Sequence, residues 1–223
     1  MNKFQRSINV WVRIIVVSVL AIVCSRILAD GELVFSELLY QRIDEVYGSK
    51  AKERVASWQR VLNSAKQLDE DEKLYEINRF FNELPFVDDS QHWNKSDYWA
   101  TPVEFLASNG GDCEDFTIAK YFSLRALGVP EEKMRFMYVN ALRLNQAHMV
   151  LAYFPKPNAV PIVLDNINPR ILPASQRRDL VPIYSFNGDG LWLAKAQGRG
   201  KQIKNSPNHS LWEDLTTRME TGF

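Results

Sequence analysis

Cysteine is almost absent from this chain: its 223 residues contain two, Cys24 and Cys113. Two sulfurs exclude a disulfide-dense scaffold and a four-cysteine zinc site, and allow at most one disulfide. Net charge is missing as well, with 27 Lys+Arg against 27 Asp+Glu. The chain as a whole therefore offers no basic field for nucleic acid, whose phosphates dominate such binding. There is no internal repeat and no low-complexity tract, and no acidic residue precedes Asp30. What is present is the composition of a globular protein, 46% apolar and 12% aromatic. That suffices for one core, and the length fits one domain or at most two.

The acid-free stretch reads as a unit of its own. Residues 1–29 carry Lys3, Arg6, Arg13 and Arg26, with an apolar run from Ile14 to Cys24. As a helix that run would be roughly 16 Å long at 1.5 Å per residue, about half of a bilayer's hydrocarbon core and typical of a secretory h-region. An export signal is expected over 1–29. Ile27-Leu28-Ala29 has a small residue only at its last position, so the expectation covers a cleaved signal peptide or a retained N-terminal membrane anchor. The remainder, 30–223, holds 27 − 4 = 23 basic and 27 acidic residues. Cys24 belongs to the leader, which leaves Cys113 as a lone thiol.

From Phe35 to Phe86 the apolar spacing predicts three helices. Ser36 can cap the first, whose stripe is Leu39, Ile43, Val46 and Tyr47 before Gly48 stops it; Val55, Trp58, Val61, Leu62 and Ala65 line the second. Asp69 can cap a third carrying Leu74, Ile77, Phe80, Phe81 and Leu84, ended by Pro85. An aromatic loop from Gln91 to Pro102 follows, with Trp93, Tyr98 and Trp99 either packing the core or walling a groove. After Gly110-Gly111 a helix is expected from Asp112 or Cys113 to Leu127, ended by Gly128-Val129-Pro130. Strands are expected over Phe136–Leu144, Ala147–Phe154, Val160–Asn166 and about Pro182–Phe186, then a mobile polar tail at about 197–210 and a last helical turn over Leu211–Met219. Helices followed by strands define an α+β fold, a helical N-terminal lobe packed on an antiparallel sheet.

A cysteine that begins a helix sits beside unpaired N–H groups at the positive end of the helix dipole, which favours thiolate. The bland alternative is a small buried apolar residue. His148 at the start of one strand and Asp165 near the end of the next supply a base and a carboxylate to orient it, the constellation a cysteine protease requires. His92 and His209 are the competing histidines, one in a polar loop ahead of the thiol and one in the tail. Against this stands Asp112-Cys113-Glu114-Asp115, because carboxylates close to sulfur oppose its ionisation. Either these acids cap the helix, or they bind a cation that offsets them. Oxygen ligands favour Ca2+ over zinc, although the spacing matches no EF-hand.

The blocks Tyr98-Trp99-Ala100-Thr101-Pro102, Gly111-Asp112-Cys113-Glu114-Asp115-Phe116, Ala147-His148-Met149-Val150 and Leu164-Asp165-Asn166 together resemble the bacterial transglutaminase-like cysteine proteinases. The resemblance runs over about Phe35 to Leu193. It implies a papain-like or transglutaminase-like fold with Cys113 as nucleophile, His148 as base and Asp165 as orienter. It further implies calcium dependence through Asp112, Glu114 and Asp115. For function it implies a periplasmic endopeptidase that cuts the N-terminal region of a large surface adhesin after a pair of alanines, releasing it and dispersing biofilm. The implied regulator is an inner-membrane cyclic di-GMP receptor, LapD, that sequesters the protease. Two other readings fit the same residues: a transglutaminase or amidase with the same triad, and a non-catalytic, tethered calcium-binding module.

Overall fold

The computed structural model describes residues 33–188, 190–193, 202–204 and 210–221. The expected leader over 1–29 and most of the expected mobile tail lie outside the described residues.

Local signals account for the first three helices. Ser36 accepts from the Leu39 N–H at 3.2 Å to begin α1 (Glu37–Tyr47), and Gly48, at φ 84°, ends it in the left-handed region that glycine tolerates. α2 (Ser49–Ala65) buries Val55, Trp58, Leu62 and Ala65 along one stripe. α3 (Glu70–Phe81) opens on a capping box, Asp69 accepting from the Glu72 N–H at 2.9 Å while the Glu72 carboxylate accepts from the Asp69 N–H at 3.2 Å. It stops at Phe81, so Leu84 falls in the following turn rather than on the helix.

The aromatic stretch is less irregular than expected. It includes a single turn, α4 (Asp89–His92), and is followed by α5 (Pro102–Ser108), to which the sequence reading assigned no element. Its start signal is a second capping box, Thr101 with Glu104, and Pro102 in the first turn. Seven residues are too few to display a period. α6 (Cys113–Ala126) is capped by Asp112, whose side chain accepts from the Glu114 N–H, and is buried from Asp115 through Tyr121. It is the central helix, with α3 and α5 on one side and the sheet on the other.

The strands are β1 (Met134–Ala141), β2 (Gln146–Tyr153), β3 (Ile162–Leu164), β4 (Leu172–Pro173), β5 (Leu180–Asn187), β6 (Gly190–Leu193) and β7 (Gln202–Lys204), all antiparallel in the order β4-β3-β2-β1-β5-β6-β7. β1 ends earlier than expected because Leu142 to Asn145 make the hairpin turn, with Asn145 at φ 52°. β3 is shorter because Asp165 leaves the strand for the site described below. β7 lies inside the segment expected to be a mobile tail and pairs with β6. One face of the sheet adds Phe136, Met149, Leu151, Tyr153 and Phe186 to the main core; the other holds a smaller cluster around Met137, Val139, Val150 and Val163. The last helix, α7 (Ser210–Thr221), buries Leu215, and its Arg218 donates to the Trp99 carbonyl at 2.6 Å and pairs with Glu104. Among the described residues no helix is long and apolar enough to cross a membrane.

Candidate active site

β3 pairs with β2 only from Leu151 onward. Beyond that point β2 has no strand on this side among the described residues, and the start of α6 takes the place of one. Thr117 donates its hydroxyl to the Cys113 carbonyl at 2.8 Å and the Met149 carbonyl at 3.2 Å, and the Met149 N–H donates toward the Cys113 sulfur. The thiol is thereby held on the uncovered edge of β2, one residue from His148. A Thr117→Val substitution keeps the shape and removes the hydroxyl. It should cost about 1 kcal/mol, a Tm loss of about 2–4 °C, and lower kcat by about 10-fold through misplacement of the sulfur; melting curves and steady-state kinetics on the purified protein check both.

His148 and Asp165, each 2% exposed, meet through a 2.8 Å contact between Nε2 and Oδ1. With Nε2 engaged, Nδ1 is the ring nitrogen left to exchange a proton with a thiol. Asp165 also accepts from the Ile167 N–H at 3.0 Å, and its second oxygen accepts from Arg177 Nη2 at 2.6 Å. Arg177 is itself buried and forks onto Asp179 at 3.0 and 2.8 Å. Burial alone would raise the Asp165 carboxyl, but the hydrogen bond and charge of His148, the Ile167 amide and Arg177 outweigh it and bring the value down to about 2. The carboxylate's ordinary value is about 3.9. A depressed acid stabilises the fold above its unfolded value and loses that stabilisation as pH falls toward the folded one. Asp165 should therefore contribute roughly 2–3 kcal/mol at neutral pH, fading between about pH 4 and pH 2. Melting wild type and Asp165→Asn across that range should show their difference shrinking as acid is added.

Around the sulfur the charges run the other way. The Cys113 thiol donates to the Glu114 carboxylate at 2.8 Å. Burial, then the charge and hydrogen bond of Glu114, then Asp112, push the thiol well above its ordinary value. The acidic group able to hold a cation is not quite the one expected: Asp112 and Asp115 are joined by Asp89, with one carboxylate oxygen from each lying within 4.8 Å of the others. Glu114, expected as a ligand, has its carboxylate on the sulfur instead. Asp115 is fully buried and uses one oxygen to accept from the Ala100 N–H at 2.7 Å; Asp89 uses one to accept from the Tyr98 N–H at 2.5 Å. The other oxygen of each is buried with no hydrogen-bond donor among the described residues. Burial raises all three: Asp89 to about 6, with Glu114 adding its charge; Asp112 to about 10, with Glu114, Asp115 and Asp89 adding theirs; and Asp115 well above its ordinary value, with Asp89 and Glu114 adding theirs. Three crowded carboxylates, two of them with an unused buried oxygen, suit a hard, oxygen-seeking divalent cation.

The same crowding explains Gly110 and Gly111. A Cβ on Gly110 would stand 2.7 Å from the Pro85 carbonyl oxygen, and one on Gly111 would collide with the Asp115 carboxylate. The Val87 N–H donates to the Gly111 carbonyl at 2.9 Å, and this bridge draws the Pro85–Asp89 segment alongside Asp112.

A half-buried thiol at the start of a buried helix, a histidine–aspartate pair beside it and a mixed helical and antiparallel architecture describe a cysteine peptidase of the transglutaminase type. The model of the bacterial transglutaminase-like cysteine proteinases matches residues 47–189, and the chain belongs to that family. It is similar to LapG of Legionella pneumophila. The calcium-bound LapG structure is 41% identical with a TM-score of 0.70, covering 81% of this chain and 97% of LapG; the EGTA-treated structure is 41% identical with a TM-score of 0.72, covering 82% and 96%. No curated protein matches it.

Asp89, Thr117, Lys120 and Arg177 do not stand out in the sequence. Asp89 carried a faint signal, an acidic pair just after a helix-ending proline. Lys120 carried another, a lysine on the apolar face of a helix. Arg177 carried none, since its position depends on the short β4 and the turn after it.

Proposed function

We propose that the chain is a calcium-dependent cysteine endopeptidase of the periplasm that cuts the N-terminal region of a large surface adhesin at a di-alanine site, frees the adhesin and so promotes biofilm dispersal. The observation that carries the reading is the buried His148–Asp165 pair set beside a thiol on the open edge of β2, in a chain 41% identical to LapG. In this reading Cys113 passes its proton to His148 Nδ1 and the sulfur attacks the peptide carbonyl carbon. N–H groups at the start of α6 stabilise the oxyanion. The C–N bond then breaks as the imidazolium protonates the departing amine, leaving a thioester on Cys113. Water, deprotonated by His148, opens the thioester and restores the thiol. Asp165 keeps the imidazole in the tautomer that presents Nδ1, and Arg177 keeps Asp165 ionised and aimed.

Asp89, Asp112 and Asp115 would hold the Ca2+. Bound there, the ion would supply positive charge close to the sulfur, offsetting the carboxylates that oppose the thiolate. The regulator in this reading is an inner-membrane cyclic di-GMP receptor of the LapD type that sequesters the protease. The decisive test is incubation of the purified chain with an adhesin N-terminal segment, in calcium and in EGTA. Cleavage at the paired alanines in calcium alone is the expected result. Cleavage indifferent to chelation would remove the metal from the proposal, and amine incorporation into a glutamine substrate without hydrolysis would replace the peptidase with a transglutaminase.

A further inference from the structure

Lys120 lies two helical turns after Cys113 on α6 and is 1% exposed. Its ammonium donates to Asn82 Oδ1 at 2.7 Å, and Asn82 Nδ2 donates to the main-chain carbonyl of Asp165 at 2.9 Å. Asn82 is the C-cap of α3, where its own N–H returns to Asn78 O at 3.1 Å, so the lysine also sits at the negative end of that helix.

We propose that Lys120 is a positioning residue for the peptidase reaction, fixing the Asp165 main chain through Asn82 so that the carboxylate meets His148. The inference rests on the catalytic roles given above for Cys113, His148 and Asp165. Stability does not explain the lysine. An ammonium has three donors, of which one makes a hydrogen bond among the described residues while the Phe116 ring lies 5.8 Å away, and burial lowers its value from 10.5 to about 7 despite the pull of Asp165. Removing the ammonium spares its desolvation and leaves one uncharged amide oxygen short of a donor, so the two effects offset in large part. The chemistry of the link is also specific. An ammonium offers no acceptor and a carbonyl no donor, so the group between them must present an acceptor to one and a donor to the other, which an asparagine amide does and an aspartate or leucine does not. α6 thus carries two tethers on the face that bears the thiol. Thr117 ties it to β2 beside His148, and Lys120 ties it through Asn82 to Asp165. One helix sets the positions of all three reacting groups.

The test uses the full chain with Lys120→Met, and with Asn82→Asp, which breaks the same link at a half-buried position. Both variants should keep the wild-type Tm within a few degrees, lower kcat by about 10- to 100-fold and leave KM within about twofold. In each, the NMR resonance of the proton shared by His148 and Asp165 should shift or broaden. A folded Lys120→Met with wild-type kcat and an unmoved resonance overturns the proposal. If that variant does not fold, Asn82→Asp decides on the same two readouts. A wild-type chain that cleaves no peptide would sink the catalytic reading while the resonance still judges the tether.

Discussion

Cys113→Ala is expected to bring peptide cleavage down to background, a loss of about 10⁴-fold or more, because without the sulfur no thioester forms and the remaining groups act only on bound water. The fold should survive. The sulfur's described partners are the Glu114 carboxylate and the Met149 N–H. Glu114 is half-exposed and can turn to solvent, so the chief cost is one amide short of an acceptor, about 1–2 kcal/mol. A variant with a native Tm and no cleavage confirms the nucleophile, and retained cleavage refutes it. His148→Ala should be nearly as severe in cleavage. It leaves Asp165 paired with Arg177, so it should not strand a charge.

The second large effect concerns the acids. Asp89, Asp112 and Asp115 repel one another without a cation, and two of them keep a buried oxygen unused. Asp115→Asn retains the acceptor that receives the Ala100 N–H while removing one negative charge from the cluster. In EGTA this variant should melt above wild type, since like-charge repulsion is relieved. In calcium the order should reverse, because wild type gains binding energy that the variant has largely lost, a drop in affinity of about 100-fold or more. Calorimetric titration with CaCl2 and paired melting curves read both halves. A variant that responds to calcium as wild type does would place the ion elsewhere.

How far the fold is legible in sequence follows the length over which each signal acts. α1 to α3 announce themselves because caps and apolar stripes are local. Ser36, Asp69 and Gly48 each act within four residues of their own position. α5, β4, β6 and β7 are each too short to carry a period. The residues to which the proposal gives the reaction stand out by type, as a cysteine after paired glycines, a histidine and an aspartate on successive strands. Their supports do not. Asp89 precedes Asp112 by 23 residues and is brought alongside it by the Phe86–Gly111 bridge. Glu114 is the converse case. It is adjacent to both Asp115 and Cys113 in sequence, yet successive residues on a helix point about 100° apart, and its side chain turns to the sulfur.

The uncovered edge of β2 turns one backbone proton into a spectator of the chemistry. The Met149 amide, without a strand partner on that side among the described residues, faces the sulfur that in the proposed reaction becomes thiolate or thioester. Each of those states is a different acceptor. The chemical shift and solvent exchange of this single amide should therefore record the covalent state of Cys113 in the intact protein, with no probe attached and no substrate turned over.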